Sequence, residues 1–274
     1  MDVTGFFASA RERYHIKLRR DCGLTPPWSE DAVFQQFRFC NVHREDDKTT
    51  IWFRENVRSK LSGLAVIEAT VFFRWFNRIE VGEIVKDLLL DGWNKKEAHK
   101  RLKDVHPVSP GAYMLKTPAG YNRLDGILEC IEASRIYLPT ILNCVSLQQA
   151  WEELLYVEYL GRFLAYEAVS DLRWTNVLSQ ATDIMTWASA GPGCARGLGR
   201  VFSGNVHEFN YGSNTDQERM LEMMQAILAA SKNPKYWPQE WRTWEMREVE
   251  HWSCEYDKYE RAYEGGRMKR RFTW

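Results

Sequence analysis

Apolar side chains recur at helical spacing along most of the chain. From Gly120 to Leu138, the residues Leu124, Ile127, Leu128, Ile131 and Ile136 fall near a 3.6-residue period, which puts them on one face of a helix. Leu147, Trp151, Leu154 and Leu155 repeat the pattern, and so do Phe163, Leu164, Ala168 and Leu172. Met220, Leu221, Met224, Ile227 and Leu228 predict a helix over 216–230. Trp241, Trp244, Val249, Trp252, Tyr256 and Tyr259 predict a last one over 239–264. Alternating runs are scarce, with one short strand candidate near Tyr113–Leu115. Turn residues punctuate the chain at Thr25-Pro26-Pro27, Pro107 to Pro110, Thr117-Pro118-Ala119-Gly120, Gly191-Pro192-Gly193, and at Gly204 and Gly212. None of these stretches is a long linker, and no internal repeat is present. The pattern predicts an all-α, mainly helical fold. It reads as a single compact helical domain over 25–262, within which two helical lobes are one possible arrangement. A basic segment over 1–24 precedes it and a basic tail over 263–274 follows.

Composition narrows the class. The 274 residues include 12 Trp, 12 Tyr and 13 Phe, with 45% hydrophobic residues, and the mean hydropathy is −0.48. This is a globular profile, which excludes wholesale disorder and low-complexity tails. Thirty-seven basic residues balance 37 acidic ones, which argues against a uniformly basic nucleic-acid coat. The charges are nevertheless segregated. Arg11, Arg13, Lys17, Arg19 and Arg20 crowd the start; Arg261, Arg267, Lys269, Arg270 and Arg271 crowd the end; seven acids lie within 240–260. Each cluster taken alone reads most simply as a solvated helix face. Six cysteines at 22, 40, 130, 144, 194 and 254 form no CxxC pair, which fits free thiols in a reducing, cytoplasmic compartment. With no apolar run of membrane-spanning length, no membrane association is expected. No G-x-x-x-x-G-K-[ST], H-E-x-x-H or G-x-S-x-G occurs, so no ATP-binding P-loop is expected.

Four clusters can carry chemistry. In Arg38-Phe39-Cys40-Asn41-Val42-His43-Arg44-Glu45-Asp46-Asp47, Arg38, Asn41, Arg44 and Glu45 share a face if the segment is helical, and Arg suits bidentate contact with pyrophosphate. Residues 155–169 read as two helices joined at Gly161. Such a turn, a helix-hairpin-helix element, exposes backbone N–H groups to a phosphate at the second helix's start, beside Arg162. An ordinary αα-hairpin is the plainer reading. The third cluster is Asp183 followed by Gly191-Pro192-Gly193-Cys194-Ala195-Arg196-Gly197, small residues that can admit an anion to a helix start. A plain Gly/Pro loop with Asp183 as a helix cap reads equally well. In the fourth, His251, Cys254, Glu255 and Lys258 share a helix face. His251 with Glu255 fits an acid/base pair better than a zinc site, which would need two more ligands from elsewhere. Trp252, Tyr256 and Tyr259 read as core or groove-lining aromatics, some able to stack on a base.

These clusters, in this order, resemble the alpha-glutamyl/putrescinyl thymine pyrophosphorylases. The matching stretches are Arg-Phe-Cys-Asn-Val-x-Arg-Glu-x-Asp at 38–47, Leu-x-Arg-Phe-Leu-Ala-Tyr-x-x-x-x-Asp-Leu at 160–172, Ala-Gly-Pro-Gly-x-x-x-Gly at 190–197 and Glu-His-x-x-Cys-Glu-x-Asp-Lys-Tyr at 250–259. The same unit is the helical domain of 5-hydroxymethyluracil DNA kinases, and the likeness spans about residues 25–262. Tyr159 stands where the hairpin pattern has Gly. The resemblance implies a DNA-glycosylase-like fold and a part in phage-type DNA hypermodification, in the host cytoplasm if phage-encoded. An upstream DNA kinase makes the pyrophosphate ester of 5-hydroxymethyluracil in double-stranded DNA. The present chain, lacking a P-loop, would then displace pyrophosphate with the amine of an amino acid or polyamine.

On that reading the base leaves the stack, held by Tyr166 and Trp252, with Asn41, Gly161, Arg162, Gly191 and Gly193 among the DNA contacts. Arg38, Arg44, Arg196 and Lys258 neutralise the leaving pyrophosphate. Either Asp183 or the His251/Glu255 pair takes the amine's proton. Mg²⁺ can accompany the pyrophosphate, although no all-carboxylate site is visible and no resident metal is expected. Two other functions fit the same residues: a base-excision glycosylase and a non-catalytic DNA-binding module of a modification complex.

Overall fold

A computed structural model describes residues 2–111, 115–268 and 271–272. The chain opens with α1 (Thr4–Asp21) and α2 (Ala32–Gln36). It continues through α3 (Lys48–Asn56), α4 (Gly63–Phe76), α5 (Ile79–Asp91), α6 (Lys95–Leu102), α7 (Arg123–Ser134), α8 (Leu147–Leu154) and α9 (Arg162–Leu172). It closes with α10 (Pro192–Phe202), α11 (Asn214–Ala230) and α12 (Met246–Tyr263). No β-strand occurs among the described residues, where the one isolated bridge joins Phe37 to Arg271. The all-α class is as the periodicity predicts. Residues 113 and 114 of the strand candidate lie outside the described residues, as do Lys269 and Arg270 of the basic tail.

Two compact units result. The first comprises 1–47 and 185–274, and the second 48–184. The chain starts in one, builds the other, and returns.

The first unit is organised on α12, which packs against α1, α2, α10 and α11. Its contact with α10 is the closest, and two glycines explain it. A Cβ on Gly193 would strike the Cys254 thiol, and one on Gly197 would strike the Ser253 carbonyl oxygen. Only hydrogen fits there, so the two helices approach backbone to backbone. The basic start of the chain is part of this unit: α1 buries Phe6, Phe7, Ala10 and Ile16, and the Phe6 carbonyl accepts the Trp252 indole N–H at 3.2 Å. Phe6, Phe7, Tyr14, Trp237, Trp241 and Trp244 form a continuous aromatic cluster. The last helix starts later than the aromatic spacing suggests. Glu245 caps it in a reciprocal box with Glu248, a pairing that satisfies the first free amides of a helix. Trp241 and Trp244 precede that start, so their period reflects packing in the cluster and not helical turns.

In the second unit α4 is the centre, packing against α5, α7 and α9. It is buried continuously from Ala69 to Phe76, as expected of a helix that is apolar all round. Its one deeply buried charge, Arg74, meets Asp171 of α9 in a two-point contact of 2.5 and 2.7 Å, with Arg58 3.7 Å from the same carboxylate. The turn between α8 and α9 is an αα-hairpin. Tyr159 adopts φ = 66°, the left-handed backbone that glycine favours.

Candidate active site

The loop over 37–47 and the outer face of α12 meet within the first unit. This loop is not the helix that its spacing predicts. Only Arg44–Asp46 makes a single 3₁₀ turn, because side chains take the backbone donors a helix would use. The Asn41 N–H donates to Asp47 Oδ1 at 2.9 Å, and the Cys40 N–H to Glu255 Oε2 at 2.9 Å. The Asn41 side-chain amide donates to the Asp46 carbonyl at 2.7 Å. An extended loop tied this way carries Cys40 and Asp47 to His251.

Ligand-type atoms of Cys40, Asp47 and His251 lie within 4.8 Å of one another. His251 Nε2 is 3.1 Å from the Asn41 carbonyl oxygen and 3.8 Å from Asp47 Oδ2. Glu255, one helical turn from His251, accepts from Lys258 Nζ at 3.1 Å, and that ammonium sits 4.5 Å above the Phe39 ring. Arg13, buried on α1, donates to the Phe39 carbonyl at 3.4 Å.

Electrostatics separates the two carboxylates. Burial opposes ionisation of Glu255, but Lys258, His251 and the Cys40 amide outweigh it and hold its carboxyl below the usual range. Burial pushes Asp47 up to about 6, against the pull of the Asn41 amide, Arg13 and Arg44. Burial, then the charges of Glu255 and Asp47, raise the Cys40 thiol well above its ordinary value.

The predicted site residues divide by unit. Asn41, Arg44, His251, Glu255 and Lys258 lie in this loop and helix face. Arg38 is exposed on the same loop, with its guanidinium 6.0 Å from the Phe272 ring. Arg196 Nε pairs with Asp257 Oδ2 at 2.9 Å, tying α10 to α12. Gly193 serves the close helix contact, and the acid nearest Gly191 is Glu250, whose Oε1 would lie 3.9 Å from an added Cβ. An acid at this helix start favours packing over anion binding. Trp252 is fully buried and Tyr166 nearly so, so both are core side chains with no ring face open to a base.

Asp183 belongs to the second unit. Its two oxygens accept the Leu147 and Gln148 amides at 2.7 and 2.9 Å, capping the start of α8. Gly161 and Arg162 are also in that unit, exposed at the start of α9, with the Arg162 guanidinium 4.9 Å from the Trp151 ring. A Cβ on Gly161 would meet nothing within 4 Å. The second unit also holds a cavity of about 1060 Å³ whose described lining includes His99, Lys103, His106, Lys116 and Arg123.

Sequence reasoning did not single out Cys40, Asp47 or Arg13. Cys40 and Asp47 lie in a motif stretch, but their partners on α12 are more than 200 residues away, and Arg13 meets the loop from the basic start of the chain; no local spacing signals either meeting.

The chain matches the family described as the 5-hmdU DNA kinase helical domain over residues 2–267. It is 25% identical, over a 306-residue alignment, to the 5-hmdU DNA kinase of Bacillus phage SP10. That alignment takes in 97% of this chain and 47% of the relative, so the chain spans about half the length of the curated protein it matches. No solved structure matches it. No helix among the described residues is long and apolar enough to cross a membrane.

Proposed function

The chain belongs to the 5-hmdU DNA kinase helical-domain family, and from that premise we propose that it acts in phage-type thymine hypermodification as an amine transferase. Its substrate is the pyrophosphate ester of 5-hydroxymethyluracil in double-stranded DNA, made by an upstream kinase. The co-substrate is an amino acid or polyamine. The C–O bond from the 5-methylene carbon to pyrophosphate breaks, a C–N bond to the amine forms, and the ammonium proton passes to the protein.

The observation that carries this reading is the meeting of the loop over 37–47 with α12. There an acid–imidazole group (Asp47, His251, Glu255) has Lys258 and Arg44 beside it, and Arg38 is exposed on the same loop. Glu255, kept ionised, attracts a cationic amine. Lys258 and Arg38 oppose the charge that develops on the leaving pyrophosphate, and Mg²⁺ arrives on this reading with the pyrophosphate itself. The exposed α8–α9 turn, with Gly161 and Arg162, is the proposed phosphate contact.

The test is to incubate the protein with DNA carrying 5-(pyrophosphoryloxymethyl)uracil and a panel of amino acids and polyamines, then digest to nucleosides for mass spectrometry. An amine adduct with stoichiometric pyrophosphate release is expected, and His251→Ala should slow it by about a hundredfold or more. Abasic sites in its place would identify a glycosylase. Folded protein that binds the DNA but yields no adduct with any amine would identify a binding module.

A further inference from the structure

We propose that Cys40, Asp47 and His251 form a binding site for a zinc-class transition-metal ion. The argument starts from donor type. A thiolate, an imidazole and a carboxylate together suit Zn²⁺ or Co²⁺, whereas Mg²⁺ and Ca²⁺ prefer all-oxygen sites.

Spacing comes next. Bonds of roughly 2.0–2.3 Å to a tetrahedral ion separate neighbouring ligand atoms by roughly 3.3–3.8 Å. The three donors already lie within 4.8 Å of one another, and His251 Nε2 is 3.8 Å from Asp47 Oδ2. That separation is too long for a hydrogen bond and near the spacing of two ligands on one ion. Side-chain rotation of about an ångström closes the set.

Two of the three donors are also tied from behind. Asp47 Oδ1 is held by the Asn41 N–H, which leaves Oδ2 toward His251. The Cys40 backbone is fixed by Glu255. Without an ion the Asn41 carbonyl oxygen accepts from His251 Nε2 at 3.1 Å, and an ion at Nε2 takes the place of that proton. Such outer contacts are what position metal ligands.

A divalent cation binds the Cys40 thiolate in place of the thiol proton. Cys254, the other cysteine on the His251 face, is not a ligand in this arrangement, because its thiol packs against Gly193.

Three protein ligands leave a coordination position open, as in catalytic and unlike structural zinc sites. The site stands on geometry alone and does not rest on the amine-transfer reading. If that reading also holds, His251 and Asp47 serve it as ligands of the ion, and Glu255 is left to receive the amine's proton.

The experiment titrates the metal-stripped full chain with Co²⁺ and records its visible and near-ultraviolet spectrum, with zinc content measured separately after dialysis. One ion per chain is expected, with the d–d bands of tetrahedral Co²⁺ and a thiolate charge-transfer band. Zn²⁺ should displace the bands and millimolar Mg²⁺ should not. Cys40→Ser should abolish the charge-transfer band. His251→Gln and Asp47→Asn should weaken binding by more than the roughly 10–100-fold typical of outer-contact losses. Cys254→Ser should keep the full spectrum. Folded wild-type protein that binds neither metal, a charge-transfer band that survives Cys40→Ser, or one lost in Cys254→Ser would each overturn the assignment. The readout is spectroscopic, so a failure here is separate from a failure of the transfer reaction.

Discussion

Gly197→Ala tests the packing that positions α12. The new Cβ would strike the Ser253 carbonyl oxygen, with the Ser253 carbonyl carbon 2.7 Å and its Cα 3.2 Å away. These are backbone atoms, so no side chain can swing aside, and α10 must move off α12 by about 1.5 Å to restore contacts near roughly 3.5 Å. Overpacking of this kind costs about 1–3 kcal/mol, and a backbone clash belongs at the upper end. Alanine recovers about 1 kcal/mol of helix propensity over glycine. The net expectation is a loss of about 2 kcal/mol, or roughly 4–8 °C in Tm. Thermal unfolding followed by near-ultraviolet circular dichroism reads it directly, since the tryptophan cluster lies in the same unit. The control is Gly161→Ala, where a Cβ meets nothing within 4 Å and the cost should stay below about 1 kcal/mol. Gly197→Ala as stable as the wild type, or more so, would show that the α10–α12 approach is looser than described and would refute the reasoning.

Three further outcomes follow from named contacts. Asp171→Asn removes the carboxylate charge that faces the buried Arg74 and Arg58 guanidinium groups and should cost about 3–5 kcal/mol in urea unfolding; a loss under 1 kcal/mol would mean that the pair is solvated. Burial opposes ionisation of Glu248, but its contacts with His43 and the Glu245 amide hold its carboxyl below the ordinary value of 4.5. A lowered carboxylate pKa contributes stability that is full at neutral pH and is lost as pH falls through the folded value, so the gap between wild type and Glu248→Gln should narrow below pH 4.5; a constant gap would contradict the shift. Asp183→Asn should keep transfer within about twofold while costing about 1 kcal/mol or less, because both oxygens cap α8; a hundredfold loss of transfer would restore Asp183 as the base.

The helices that sequence reveals best are those with one buried face. The periods read near α7, α8 and α11 are those of half-buried surfaces, and the elements appear within a few residues of expectation. Helix α4 is silent to such a reading because a helix buried on every side has no polar face to set a period. Trp241 and Trp244 mislead for the opposite reason, since aromatics gathered into a cluster before Glu245 imitate a helical repeat. The loop at 38–47 shows a third limit. Its polar residues share a helical spacing, but Asp47 and Glu255 capture its amides and hold it extended. Gly193 and Gly197 carry a legible signal of another kind. Four residues apart on one helix, they open a single gap on one face, which is the signature of close helix packing more than of an anion loop.

The acidic run on α12 shows why a zero net charge says little about function here. Four of its carboxylates are not a solvated face. Glu248 meets His43 at 3.7 Å, Glu250 meets Arg247, Glu255 meets Lys258, and Asp257 meets both Arg196 and Arg200. Partly buried pairs of this kind add little net stability over apolar packing, but they penalise any arrangement that leaves one member unpaired. They therefore fix the register of α12 against the loop over 37–47, α10 and its own turns, and that register brings His251 to Cys40 and Asp47. The segregated charge of the sequence acts inside the first unit as alignment for one helix.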